Sequence, residues 1–119
     1  MVKYMLPLQP SIQIREYLDR ESHSPFGTWL RRLNADAARR VTTSLYRLSL
    51  GNLSNVKGVG EGVFECKIDF GPGYRVYFGR DGNTIVILLG GGTKPSQSKD
   101  IIHARERWQD YKLSKRRKA

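Results

Sequence analysis

Phe64-Glu65-Cys66-Lys67-Ile68-Asp69-Phe70, the turn Gly71-Pro72-Gly73 and then Tyr74-Arg75-Val76-Tyr77-Phe78 form the stretch on which the fold turns. Phe64, Cys66, Ile68 and Phe70 alternate with Glu65, Lys67 and Asp69, and Tyr74, Val76 and Phe78 alternate with Arg75 and Tyr77. This is the period-two pattern of half-buried strands. Paired as an antiparallel hairpin, the strands set their apolar residues on a helix layer and project Lys67, Arg75 and Tyr77 from the opposite face, a surface suited to phosphate. The pattern fits a second reading equally well, in which Lys67 and Arg75 are solvated sheet residues paired to Glu65 and Asp69.

Downstream, Asp81-Gly82 is a tight-hairpin signal that leads into a third strand over residues 84–89. Ile85-Val86-Ile87-Leu88-Leu89 is apolar at every position, as expected of a strand buried on both faces or central in the sheet. Gly90-Gly91-Gly92-Thr93-Lys94 lacks the spacing of a nucleoside-triphosphate loop. Three glycines after a buried strand instead permit a tight exit and close backbone approach, with Lys94 placed to meet an anion. Ser96 or Ser98 can cap a last helix carrying Ile101, Ala104, Trp108 and Tyr111 on one side. Beyond Asp110 come Lys112, Lys115, Arg116, Arg117 and Lys118 with no acid among them, which reads as a frayed basic tail or as a nucleic-acid contact.

Upstream, residues 11–17 alternate as a first strand. Ser24-Pro25 opens a short helix with Phe26, Trp29, Leu30 and Leu33 at helical spacing, and Asn34 caps a second with Ala38, Val41, Leu45 and Leu48 as its stripe, closed by Gly51-Asn52. The two make a helical hairpin whose outer faces carry Arg31, Arg32, Arg39, Arg40 and Arg47. Residues 51–62 hold four glycines and read as a loop with a short edge strand around residues 55–57.

A chain of 119 residues accommodates one domain, placed at residues 1–113, with 114–119 as the basic tail. Hydrophobic residues make up 39% and charged residues 27%, and no apolar run is long enough to span a bilayer. Residues 1–7 lack a secretory pattern, so the expected location is the cytoplasm. The single cysteine, Cys66, excludes an intrachain disulfide and a cysteine-cluster metal site, and its strand position marks it as core. No carboxylate pair suggests a metal, and no cofactor is implied. The formal net charge of +10 favours a polyanion, with nucleic acid and an acidic protein both in play. His23 and His103 are the only histidines; each reads first as a surface or structural residue, with His103 the better functional candidate.

Residues 60–101 resemble the RelE/ParE toxin superfamily of bacterial toxin–antitoxin modules, and in particular its HigB-like addiction-module killer proteins. The resemblance rests on Gly60-Glu61-Gly62-Val63-Phe64-Glu65, Phe70-Gly71-Pro72-Gly73-Tyr74-Arg75-Val76-Tyr77-Phe78, Leu88-Leu89-Gly90-Gly91-Gly92-Thr93-Lys94 and Gln97-Ser98-Lys99-Asp100-Ile101. It implies an α+β, RelE-like fold, an N-terminal helical hairpin packed on a small antiparallel-rich sheet with a C-terminal helix. It also implies a ribosome-dependent messenger-RNA endonuclease, silenced by an antitoxin encoded beside it. The implied chemistry is attack of a ribose 2′-hydroxyl on the adjacent phosphodiester. Arg75 is similar to the family's arginine at the scissile phosphate, and Lys67 and Lys94 to its flanking basic residues. Gln97, Lys99 and Asp100 match the motif that follows, and Arg116 and Arg117 are candidate RNA contacts. For the general base Tyr77, Asp100 and His103 stay open, because the C-terminal tyrosine of some RelE members has no clear counterpart. Thr93 stands where relatives often have aspartate. The superfamily's ParE-type members, which inhibit DNA gyrase, supply the alternative function, together with a non-catalytic antitoxin-binding module.

Overall fold

A computed structural model describes residues 12–118, with the side chain of Lys118 left aside. The reading of residues 1–7, the first residue of the expected first strand and the end of the tail lie outside the described residues. In chain order the elements are β1 (Gln13–Glu16), α1 (Pro25–Arg31), α2 (Ala35–Ser49), β2 (Val56–Gly60), β3 (Val63–Ile68), β4 (Tyr74–Asp81), β5 (Ile85–Thr93), a single 3₁₀ turn (Lys94–Ser96) and α3 (Gln97–Lys118). This is a mixed α+β fold.

The helix starts follow from local chemistry. Ser24 Oγ accepts the Gly27 N–H at 2.9 Å ahead of Pro25, and Asn34 Oδ1 accepts the Ala37 N–H at 2.9 Å, each satisfying a donor that the first turn leaves orphaned. The five strands lie in the order β1-β5-β4-β3-β2, with β1 parallel to β5 and every other pair antiparallel. The parallel edge closes the sheet around β5, which explains its unbroken apolar run.

Both faces of the sheet are covered. On one face Phe26, Ala37, Val41 and Leu48 of α1 and α2 pack with Cys66, Ile68, Tyr74, Val76, Phe78, Val86 and Leu88. On the other, Ala104 and Trp108 of α3 pack with Tyr17, Val63, Tyr77, Ile87 and Leu89. The face expected to present Lys67, Arg75 and Tyr77 to solvent is therefore the floor of a second core. Arg75 is 6% exposed and Tyr77 fully buried, while Lys67 remains exposed.

Two further differences have local causes. The glycine run is not an exit from β5 but its last part, because a methyl group on Gly91 would overlap the Trp29 ring and one on Gly92 the Asp100 carboxylate. What reads as a tail from residue 114 continues α3 through Lys118. Its helical path is held by Tyr111 Oη and Lys115 Nζ, both donating to Asp81 at 2.6 Å. No described helix is long and apolar enough to cross a membrane.

Candidate functional site

The expected site residues divide between two places. The first is a cross-strand patch on the α3 face of β3 and β4. Lys67 stands opposite Arg75, and Arg75 opposite Gly92, so these form one row; Glu65 stands opposite Tyr77 in the next. Arg75 Nε lies 3.3 Å from Glu65 Oε1, and Lys57 Nζ lies 3.7 Å from Oε2. Gln97 Nε2 donates to Glu65 Oε1 at 2.6 Å. Glu65 is 1% exposed, so its charge and that of Arg75 neutralise each other inside the fold. Lys67, Lys94 and Lys99 are exposed around this patch.

Tyr77 Oη is buried without a hydrogen-bond partner of good geometry among the described residues. Burial foremost, and then the nearby Glu65 and Asp100 charges, push its pKa far above the ordinary phenol range. It stays protonated, and neither stacks on a base nor takes a proton in this arrangement. Arg116 and Arg117 are exposed on the last turns of α3.

The second place forms where β1 gives out. The last backbone bond between them runs from the Tyr17 N–H to the Leu88 carbonyl at 2.9 Å, and past it the outer edge of β5 has no neighbouring strand. A pocket of about 490 Å³ opens there, floored by Gly90, Gly91 and Gly92, with Trp29 and Arg32 on the α1 side and Asp100, His103 and Arg107 on the α3 side. The loop between β1 and α1 adds Asp19 and His23. Glycine, alone among residues, lets helix side chains come this close to a strand.

Each charged group at the pocket is fixed differently. On α3, Asp100, His103 and Arg107 recur at the spacing that puts side chains on one helix face. Asp100 Oδ2 accepts from Ser96 Oγ, and Arg107 Nη1 donates to the Leu89 carbonyl at 3.0 Å. Burial pulls the Arg107 guanidinium down from its ordinary value against the raising influence of Tyr17, Asp100, Glu106 and Asp19, and an arginine so placed stays charged. Asp19 Oδ1 accepts the backbone N–H groups of Glu21 and His23, each at 2.9 Å, and the Asp19 N–H donates back to the His23 carbonyl at 2.9 Å. These bonds hold the Asp19 carboxyl below its usual range, the bond from His23 foremost, and pin the loop that carries the His23 ring. Among the described residues neither Arg32 nor Arg107 makes an ion pair within 4.0 Å. No three of the described His, Cys, Asp and Glu residues gather closely enough to hold a metal ion.

The structure thus places Asp100 on Gly92 between the two, beside the row of Arg75 and Lys67, and joins it with His103 to His23 and Arg32 in the pocket. Sequence reasoning left His23 aside and treated Arg32 as surface decoration. The glycine run inside a strand was the available signal, since it marks close approach of another element.

No family model matches the chain. An uncharacterized protein of Haemophilus influenzae (strain ATCC 51907 / DSM 11121 / KW20 / Rd) is 43% identical to it over 81 residues, which is 67% of this chain and 82% of that protein. The chain belongs to the same family as that Haemophilus protein, and the kinship carries no activity with it.

Proposed function

We propose that the chain is the toxin of a bacterial toxin–antitoxin module, a RelE-like, HigB-like endoribonuclease that cuts messenger RNA on the ribosome in the cytoplasm and is silenced by a cognate antitoxin. One observation carries this reading above the others. Lys67, Lys94 and Lys99 stand exposed around the row in which Lys67 faces Arg75, on a chain of net charge +10. Exposed cations beside one sheet end suit an RNA backbone, and counterion release would supply much of the affinity. In the reaction the ribose 2′-oxygen attacks the adjacent phosphorus and the bond to the 5′-oxygen breaks, leaving a 2′,3′-cyclic phosphate and a free 5′-hydroxyl. Lys67 and Lys94 offset the charge of the RNA backbone that leads to the reacting phosphate. Arg75, held by Glu65, anchors the row from behind.

The neutralised state of Arg75 favours a second reading, a ParE-type gyrase inhibitor or a non-catalytic antitoxin-binding module, because the guanidinium expected at the phosphate already has its carboxylate. Adding the chain to a defined message in a purified translation system, with and without ribosomes, separates the two. New RNA ends only on translated message support the nuclease. An intact message, with loss of gyrase supercoiling activity, moves the assignment to the gyrase inhibitor.

A further inference from the structure

We infer that the pocket at the open edge of β5 is a phosphate site, and that His23 and His103 are its proton-transfer pair. The inference rests on the nuclease reading for the reaction it assigns, but not for the binding. The two histidines of the chain are 80 positions apart (103 − 23), on a loop and on a helix, yet both line one pocket. Two arginines line it as well, and neither is used up in an ion pair among the described residues. The pocket also carries two carboxylates, each with hydrogen-bond donors of its own: Asp19 accepts from backbone N–H groups and Asp100 from Ser96. These two carboxylates balance the two arginines, so the pocket offers a phosphate hydrogen-bond donors, the guanidiniums and the imidazoles, rather than a net positive charge.

The volume of about 490 Å³ falls in the range of small-molecule sites and admits a nucleotide. Arginine is the side chain best matched to phosphate oxygens. Trp29 adds an aromatic wall on the α1 side. With the phosphodiester held by Arg32 and Arg107, one imidazole takes the proton from the 2′-hydroxyl as its oxygen bonds to phosphorus. The other gives a proton to the departing 5′-oxygen, so the protonation of the pair is exchanged and no other reactant is needed. Lys67, Lys94 and Lys99 then act as the approach along which the RNA backbone runs.

The pocket contrasts with the Arg75 patch in what it costs to use. An RNA phosphate reaching Arg75 must displace a buried carboxylate already in ion-pair contact, whereas Arg32 and Arg107 have no carboxylate within 4.0 Å among the described residues, with Asp19 and Asp100 set further off in the same pocket. His23 is exposed and His103 half-buried, so both are open to solvent and substrate.

The test is proton NMR of the two imidazole rings, titrated with inorganic phosphate and separately with adenosine 3′-monophosphate. Only two histidines contribute, so each ring is followed alone. Both rings are expected to shift along one saturation curve for each ligand. Their titration midpoints should rise together when phosphate is bound, and Arg32→Gln, a change at an exposed side chain, should weaken binding. The charged groups that line the pocket with the two rings are Asp19, Arg32, Asp100 and Arg107. Rings that do not respond, or only one that does, would overturn the site.

Cutting separates this inference from the nuclease reading. His23→Asn and His103→Asn should each lower single-turnover cutting by about 10²–10⁴-fold and remove one limb of its pH profile. Cutting that survives both changes with its pH profile intact would overturn the pocket's part and leave the nuclease standing. Phosphate binding with no cutting by the unaltered chain would support the site and remove the nuclease.

Discussion

The Glu65–Arg75 patch and the pocket at the end of β5 hold the same kinds of side chain and treat them in opposite ways. In the patch, the Glu65 carboxylate is charge-paired with the buried Arg75 guanidinium and accepts from the Gln97 amide, while Arg75 Nε has no hydrogen bond of good geometry among the described residues. In the pocket, two arginines, two histidines and the carboxylates of Asp19 and Asp100 line one cavity, the carboxylates accept from backbone and hydroxyl groups, and neither guanidinium has an ion pair within 4.0 Å among the described residues. The lesson is that a motif arginine at the expected strand position does not by itself mark the working site. Burial and partnership decide whether its charge is available.

The largest effect that could break this comparison is on stability. Glu65→Ala leaves Arg75 buried without its counter-ion, and truncating one partner of a buried pair costs about 3–5 kcal/mol. Urea unfolding should show the loss, and replacing both residues by methionine should recover part of it. An unchanged midpoint for Glu65→Ala would mean that the patch is solvated, and the contrast with the pocket would vanish. A smaller loss is expected for Gly91→Ala, where the new methyl group meets the Trp29 ring; overpacking of this kind costs about 1–3 kcal/mol. That variant should also close the pocket floor and weaken phosphate binding in the same sample.

Acid provides a third probe. Lys115 foremost, and Tyr111 next, hold the Asp81 carboxyl below its ordinary range. A carboxyl depressed in the fold contributes stability above its unfolded value and loses it as pH falls through its folded value. Melting temperature should therefore drop on acidification below the carboxylate range, and Asp81→Asn should flatten that drop. Asp81 does not line the histidine pocket, so that change should leave phosphate binding as it is. The smallest effect on stability is expected for Arg32→Gln, within about 0.5 kcal/mol as for other exposed positions, beside a clear loss of phosphate binding.

Much of the fold was legible in advance. The alternation around Gly71-Pro72-Gly73 gave β3 and β4, the capping residues Ser24 and Asn34 gave the starts of α1 and α2, and the apolar run 85–89 gave a strand covered on both faces. Two features were not legible for physical reasons. Glu65, Arg75 and Tyr77 sit in register as the pattern requires, but whether a sheet face meets water or a helix depends on where α3 docks, which strand periodicity does not encode. The stripe Ile101, Ala104, Trp108 and Tyr111 announced that α3 packs against something, but a stripe does not say which sheet face it meets. The pocket depends on β1 stopping at Glu16 while β5 runs on to Thr93, a difference in strand length that brings residues from distant positions together.

The most direct test of the account is the rate of message cutting on programmed ribosomes, compared between the unaltered chain and His103→Asn at matched folding. The account predicts defined cuts ending in 2′,3′-cyclic phosphate for the unaltered chain, and a rate lower by about 10²–10⁴-fold for the variant. Intact message with the unaltered chain would contradict the nuclease, and equal rates for the two would contradict the pocket as its site.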